Sequence, residues 1–311
     1  MPSPATRSAA DPPPGGGLTE GQFGSAVPRR YLLYRPASRR LGPAPLLVLL
    51  HGCKQTADDF ALGTGMNEAA EDAGVVVLYP EQSPTAHLLR CWNWYALQDR
   101  SYSDGEAALL ASLTRQIVRE HDIDAARVYV AGMSAGGAMA AVLARDYPEL
   151  YAALGVHSGL PAGMAHDVHS ALRLMSNGPG PSPPAADARS ADPPVARIVF
   201  HGDDDTTVHP SNAAALHAAP DDPSSPASTQ ATTPSSEGRR AYTRSIEYGP
   251  GGIPQRELWI VHGAGHAWAG GDAAGSHTDA DGPDASREML RFLLQHRLKR
   301  GDAAPAGPQS Q

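Results

Sequence analysis

The chain is short of cysteine, of long apolar runs and of positive charge, and each shortage removes a class of function. Two cysteines, Cys53 and Cys91, cannot build a disulfide-rich scaffold or a cysteine-ligated metal site. They suffice for one bridge or for two free thiols. No apolar run reaches the length of a membrane span, so no membrane partner is expected. The 25 Lys and Arg stand against 33 Asp and Glu, a formal net charge of −8 with a pI near 5.9. Nucleic-acid binding needs a basic face, and this balance argues against one. A short basic cluster, Arg297, Lys299 and Arg300, ends the last helical segment, where the helix dipole favours cations anyway. Met1 to Gly24 is rich in Pro, Ser, Ala and Gly without an apolar h-region, so it does not read as a secretory signal peptide. Residues 1–28 are expected to be a disordered arm. There is no internal repeat and no His pair in a recognisable metal-ligand motif. The acidic stretch Asp279-Ala280-Asp281-Gly282 lacks the spacing of a calcium loop and is predicted to be a polar loop. No metal or other cofactor is expected.

What remains is a regular alternation. Leu46 to Leu50 is a continuous apolar run, the pattern of a strand buried on both faces. Val75 to Tyr79, Val128 to Ala131, Leu154 to His157, Val195 to Phe200 and Leu258 to Val261 repeat it. Arg30 to Arg35 alternates less cleanly and suits an antiparallel edge strand. Helical segments lie between: Met66 to Ala73, Gly105 to His121, Ala135 to Asp146 and Ser286 to Arg297. In the second, Leu109, Leu113 and Ile117 recur four apart on one face; in the last, Met289, Leu290, Leu293 and Leu294 make a similar stripe. Strands alternating with helices predict an α/β protein with a mostly parallel central sheet covered on both faces. A length of 311 residues fits one such domain, over 29–300, with 301–311 a disordered tail. Residues 177–194 and 219–239 are dominated by Pro, Ser, Ala, Gly and Asp and are expected to be mobile surface insertions, since such composition buries little apolar surface.

One short pattern carries chemistry. Gly132-Met133-Ser134-Ala135-Gly136 is a G-x-S-x-G sequence between a predicted strand and a small-residue helix, the place of a nucleophile elbow. A serine hydroxyl attacks well only when a base takes its proton. In this arrangement an acid and then a histidine follow the serine along the chain. Among 13 histidines, His266 lies in Gly263-Ala264-Gly265-His266-Ala267-Trp268, a Gly-flanked loop after the last predicted strand. The acid is expected after Val195 to Phe200, where Asp203, Asp204 and Asp205 are adjacent and chemistry alone does not choose among them. Backbone donors for an oxyanion are expected at Ala135, after the nucleophile, and at Cys53, in the loop after Leu46 to Leu50. His51 and His262 are read as structural.

Taken together these landmarks resemble the poly(3-hydroxybutyrate) depolymerase family of esterases, related to feruloyl and acetylxylan esterases. The matching text is His51-Gly52-Cys53-Lys54-Gln55-Thr56, Leu78-Tyr79-Pro80-Glu81-Gln82, Cys91-Trp92-Asn93-Trp94, Ala131 to Gly137, His157-Ser158-Gly159, His201-Gly202-Asp203-Asp204-Asp205 and Gly265-His266-Ala267-Trp268. The likeness runs from about Arg29 to Leu298. It implies the α/β-hydrolase fold and makes Asp205 the acid beside Ser134 and His266. It also implies that Trp92 and Trp94 line the substrate site, with Trp268 a further substrate-binding candidate, and it makes a Cys53–Cys91 bridge the expected pairing.

The implied activity is hydrolysis of carboxylic esters through an acyl-enzyme, on poly- or oligo(3-hydroxybutyrate)-type or short-chain esters, the partner being the ester substrate, a small molecule or a polyester oligomer. Secreted members carry a signal peptide and a polymer-binding module; neither is evident here, which suits a soluble ester or oligomer. The missing h-region points to the cytoplasm, whereas the family and a bridge point to export. The sequence carries no signature of oligomeric state. One rival keeps the chemistry and takes feruloyl or acetyl groups on polysaccharide. Another, of a different class, is a non-catalytic binding protein on a hydrolase scaffold.

Overall fold

A computed structural model of the chain describes residues 16–24, 28–37, 42–95, 105–180, 195–218, 228–234 and 239–299. The first half runs β1 (Gly17–Phe23), β2 (Arg29–Arg35), β3 (Ala44–Leu50), α1 (Ala57–Thr64), α2 (Met66–Ala73), β4 (Val76–Pro80), α3 (Glu106–Glu120), β5 (Ile123–Met133) and α4 (Ala135–Asp146). The second runs β6 (Ala153–His157), α5 (Val168–Asn177), β7 (Ala196–Gly202), α6 (Ser211–His217), β8 (Ser228–Thr233), β9 (Tyr242–Tyr248), β10 (Pro254–Val261), the short strands β11 (Trp268–Ala269) and β12 (Thr278–Asp279), and α7 (Ala285–Leu293).

Ten strands form one sheet in the order β1-β2-β4-β3-β5-β6-β7-β10-β9-β8. The six central strands, β4 to β10 in that order, are parallel. β1, β2, β9 and β8 are antiparallel to their neighbours. The apolar runs dictate this centre, because a strand such as Ala-Pro-Leu-Leu-Val-Leu-Leu has no polar face to give to water. Its side chains alternate between two cores. Leu46, Val48 and Leu50 pack with Leu110, Leu113 and Ile117 of α3 and Ala138 of α4. Leu47 and Leu49 pack with Phe60 of α1, Met66 of α2 and Met289, Leu290 and Leu293 of α7. Each such leucine, withdrawn fully from water, contributes about 1.5–3 kcal/mol.

Three expectations need correction at the sheet's margins. β1 falls inside residues 1–28, which were expected to be disordered, and pairs along its whole length with β2. Consequently Arg29–Arg35 is antiparallel as expected but lies second from the edge. Likewise β8 falls inside the 219–239 insertion and forms the opposite edge against β9. The physical reason is common to both: an edge strand can be held by backbone hydrogen bonds to an existing strand, with little apolar burial. Asn177 closes α5 instead of opening an insertion. The rest of the expected insertions (181–194, 219–227 and 235–238), residues 1–15 and 25–27 of the arm, and the 301–311 tail lie outside the described residues. Among the described residues no helix is long and apolar enough to cross a membrane.

Candidate active site

Four segments that follow parallel strands meet at the carboxyl end of the sheet, the usual place for ligands in open α/β sheets. The first is the turn from β5 to α4. Ser134 sits in it at φ 56 and ψ −122, a conformation rare for a residue with a side chain, and its N–H donates to the His157 carbonyl at 2.9 Å. The flanking glycines are required by close approach. A Cβ on Gly136 would lie 2.2 Å from the Leu50 carbonyl oxygen, and one on Gly132 would lie 2.5 Å from the Gly136 carbonyl carbon.

The second and third segments follow β7 and β10. Asp205 is buried, and its Oδ2 accepts from Nδ1 of His266 at 2.7 Å. Its Oδ1 accepts from the N–H groups of Thr207 and Val208, each at 2.9 Å. Burial pushes the Asp205 carboxyl up, but the hydrogen bond and charge of His266 and the Val208 N–H outweigh it and hold the group below the usual carboxylate range. The neighbouring aspartates do other things. Asp203 accepts from His262 Nδ1 at 2.7 Å and from the Gly263 N–H at 2.6 Å. The Asp204 N–H donates to the Ala264 carbonyl, and its side chain is exposed. The structure thus brings Asp205, alone of the three, to His266. Ser134 and His266 line the same cavity, in which the serine hydroxyl has no hydrogen-bond partner among the described residues. Such contacts are often loose without substrate.

The fourth segment is the loop after β3. His51 is buried and bridges two loops: Nδ1 donates to the Gly52 carbonyl at 2.7 Å and Nε2 accepts from the Gln82 N–H at 3.0 Å. Burial lowers its pKa to about 4, so the ring is neutral and structural. The Gly52 N–H donates to Gln55 Oε1 at 2.9 Å, which fixes the turn that presents Cys53. The Cys53 N–H has no acceptor among the described residues, and Ala135 heads α4, where an N–H has no intrahelical acceptor. The sulfurs of Cys53 and Cys91 lie 2.07 Å apart, at bonding distance. His157, beneath the serine turn, is stacked against Phe200 and Trp268 and accepts from the Ala269 N–H at 3.0 Å. Burial, with help from nearby His201 and His266, pushes its pKa down to about 3. Among the described residues no cluster of His, Cys, Asp and Glu is arranged to hold a metal ion, and Asp279 pairs with Arg240.

Comparison with known proteins gives the family of the chain. Residues 29–220 match the family model of esterase PHB depolymerases. The chain belongs to that family. Poly(3-hydroxyalkanoate) depolymerase C of Paucimonas lemoignei is 35% identical over 176 residues, 54% of this chain and 42% of the relative. Probable acetylxylan esterase A of Aspergillus fumigatus is 31% identical over 204 residues, 61% of this chain and 54% of the relative. The chain spans about half the length of these curated relatives. A solved acetyl xylan esterase from Aspergillus awamori superposes with a TM-score of 0.65 at 20% identity, covering 89% of this chain and all of that one. That likeness bears on the fold alone, which is the α/β-hydrolase fold.

In this family member the cavity over Ser134 has a volume of about 500 Å³. Trp92 and Trp94 are part of its lining, and Trp92 is anchored by an Nε1–H donated to the His51 carbonyl at 3.0 Å. Trp268 is not among the lining residues. It is buried edge-on against Phe60, and its Nε1–H donates to Ser286 at 3.1 Å, so it supports the His266 loop from below instead of meeting substrate. The lining also includes Lys54, His87, Leu160, Met175 and His277, which the sequence did not single out. The Met175 wall comes from α5, whose start is marked by the capping box Asp167–Ser170.

Proposed function

We propose that this chain hydrolyses carboxylic esters, with Ser134 as nucleophile, His266 as general base and acid, and Asp205 as the group that orients His266. The reading is carried by one observation: the Asp205–His266 hydrogen bond of 2.7 Å faces a cavity that also holds the Ser134 hydroxyl, which has no partner among the described residues. Ser134 Oγ attacks the ester carbonyl carbon and His266 takes its proton. The N–H groups of Cys53 and Ala135 receive the developing oxyanion. The tetrahedral carbon then expels the alcohol, protonated by His266, and water cleaves the acyl-enzyme by the same route. Asp205 stays ionised throughout, consistent with its depressed pKa.

The apolar wall of Leu89, Trp92, Trp94, Leu160 and Met175 supports an ester of low polarity, such as a 3-hydroxybutyrate oligomer or another short acyl ester, over the sugar-rich surface of a polysaccharide. The experiment is turnover of a short-chain nitrophenyl ester, a hydroxybutyrate oligomer and methyl ferulate by the wild type and Ser134→Ala. Loss of at least about 10⁴-fold in kcat is expected in the variant. Turnover near the wild-type rate would remove Ser134 from the mechanism. Failure of the wild type to react with a fluorophosphonate would favour a non-catalytic binding protein.

A further inference from the structure

Five non-glycine residues in the described structure have positive φ: Lys54, Arg90, Ser134, Ser158 and His277. Three of them line the cavity, the serine and, at φ 67 and 54, Lys54 and His277. Backbone strain of this kind persists only where the surroundings enforce it, and it gathers at working sites. The enforcement here is visible. Gln55, next to Lys54 and buried, donates from Nε2 to the carbonyl and hydroxyl of Ser276, next to His277, at 3.2 and 3.1 Å. Asp59 ties the same junction, accepting from Gln55 Nε2 at 3.0 Å and from the Ser276 N–H at 2.9 Å. Lys54 and His277 therefore flank one stapled seam between the oxyanion loop and the segment after the base.

Their chemistry is out of keeping with the rest of the molecule. The chain carries a net charge of −8, yet the described residues lining this cavity include Lys54, His87, His266 and His277 and no carboxylate. Neither the Lys54 ammonium nor the His277 ring has a hydrogen-bond or ion-pair partner among the described residues. The His277 ring stands edge-on to His266, with 6.4 Å between centroids. His277 thus stands next to the residue proposed to protonate the departing oxygen, within reach of the alcohol half of an ester.

We infer that Lys54 and His277 form a carboxylate-recognition subsite, which selects esters whose alcohol half bears a free carboxylate, a hydroxy acid being the simplest. This rests on the proposed roles of Ser134 and His266. The reaction itself is unchanged. The serine oxygen–acyl bond forms, the acyl–oxygen bond of the ester breaks, and the proton from Ser134 passes through His266 to the hydroxy acid that leaves. The ammonium supplies charge, and the imidazole supplies an N–H donor, to an anion that the apolar walls would otherwise reject.

The test compares two esters that release the same acetate, 3-acetoxybutyrate and its neutral amide 3-acetoxybutyramide. The wild type is expected to favour the carboxylate in kcat/KM by about three- to tenfold, as two exposed charge-assisted contacts allow. In Lys54→Gln and His277→Asn together, the ratio should fall to near one; raised salt should lower it in the wild type. Using the ratio cancels any general damage to the loops, which would lower both substrates alike. A wild-type ratio of one or less, or a ratio the double variant leaves intact, overturns this subsite alone. No turnover of either ester by the wild type overturns the catalytic reading beneath it.

Discussion

Asp203 and Asp205 stand two positions apart and serve different histidines, His262 and His266, each at 2.7 Å. The Asp203–His262 pair is partly exposed, and Asp205 is buried with both oxygens engaged. Their removal should therefore differ in kind. Asp205→Asn would present an amide where His266 needs an acceptor for Nδ1–H, and kcat is expected to drop by about 10⁴-fold, as it does when a triad carboxylate is neutralised elsewhere. Asp203→Asn should stay within a few fold of wild type. Steady-state kinetics on one nitrophenyl ester decides, and equal losses in the two variants would show that the assignment of the acid is wrong. At this scale the sequence is legible only so far. Three consecutive aspartates look alike until the chain turns, and it is the family resemblance, not their chemistry, that singles out Asp205. Trp268 misleads for a related reason: adjacency to His266 in sequence says nothing of which side of the loop an indole takes. His277 left no signal, because its place in the cavity depends on a seam between segments more than 200 residues apart.

Between elements, the Cys53–Cys91 bond joins the loop after β3 to the segment after β4 across 38 residues. Cross-linking a loop of that length removes about 4 kcal/mol of unfolded-state entropy in the chain-entropy view. Cys91→Ser is expected to lower the free energy of unfolding by up to that amount, read from the urea midpoint. It should also reduce kcat, since Cys53 carries one of the proposed oxyanion donors. Thiol titration of the denatured wild type without reductant should find none, and two titratable thiols would sink the idea. Elements differ in how plainly their sequences announce them. β3 and β4 are apolar throughout and β6 at every position but its last, His157, because both of their faces are covered, so these three can be read directly. β1 and β8 need only a neighbour's free edge, a tertiary fact that composition does not encode. α1 and α6 are two turns long and carry weak periodicity, although the Thr56 cap, with Asp58 and Asp59 in the first turn, marks where α1 begins.

The whole molecule handles its histidines in a way that sets its acid stability. His51 and His157 are fully buried and neutral, with pKa values pushed down to about 4 and about 3, and His296, less completely enclosed, is lowered to about 4. In the unfolded chain each titrates near 6.5. Between the folded and unfolded values the unfolded chain binds protons that the folded protein refuses, so stability falls as pH falls through that interval. Well below pH 6.5 each fully buried ring contributes a slope of about 1.4 kcal/mol per pH unit, or roughly 3 kcal/mol per unit for His51 and His157 together. The carboxylates act elsewhere. Asp58, Asp124, Asp203 and Asp205 are held below their ordinary value of 3.8, so what they contribute is intact above that pH and lost beneath it. Urea midpoints should therefore already decline steeply between pH 7 and pH 5, before these four aspartates begin to titrate. His157→Gln, which keeps a side-chain acceptor within reach of the Ala269 N–H, should lose stability at pH 7 yet show a shallower decline. A wild-type midpoint that stays level from pH 7 to pH 5 would mean that these rings take up protons without unfolding, and that the two stacked layers around His157 are looser than their contacts suggest.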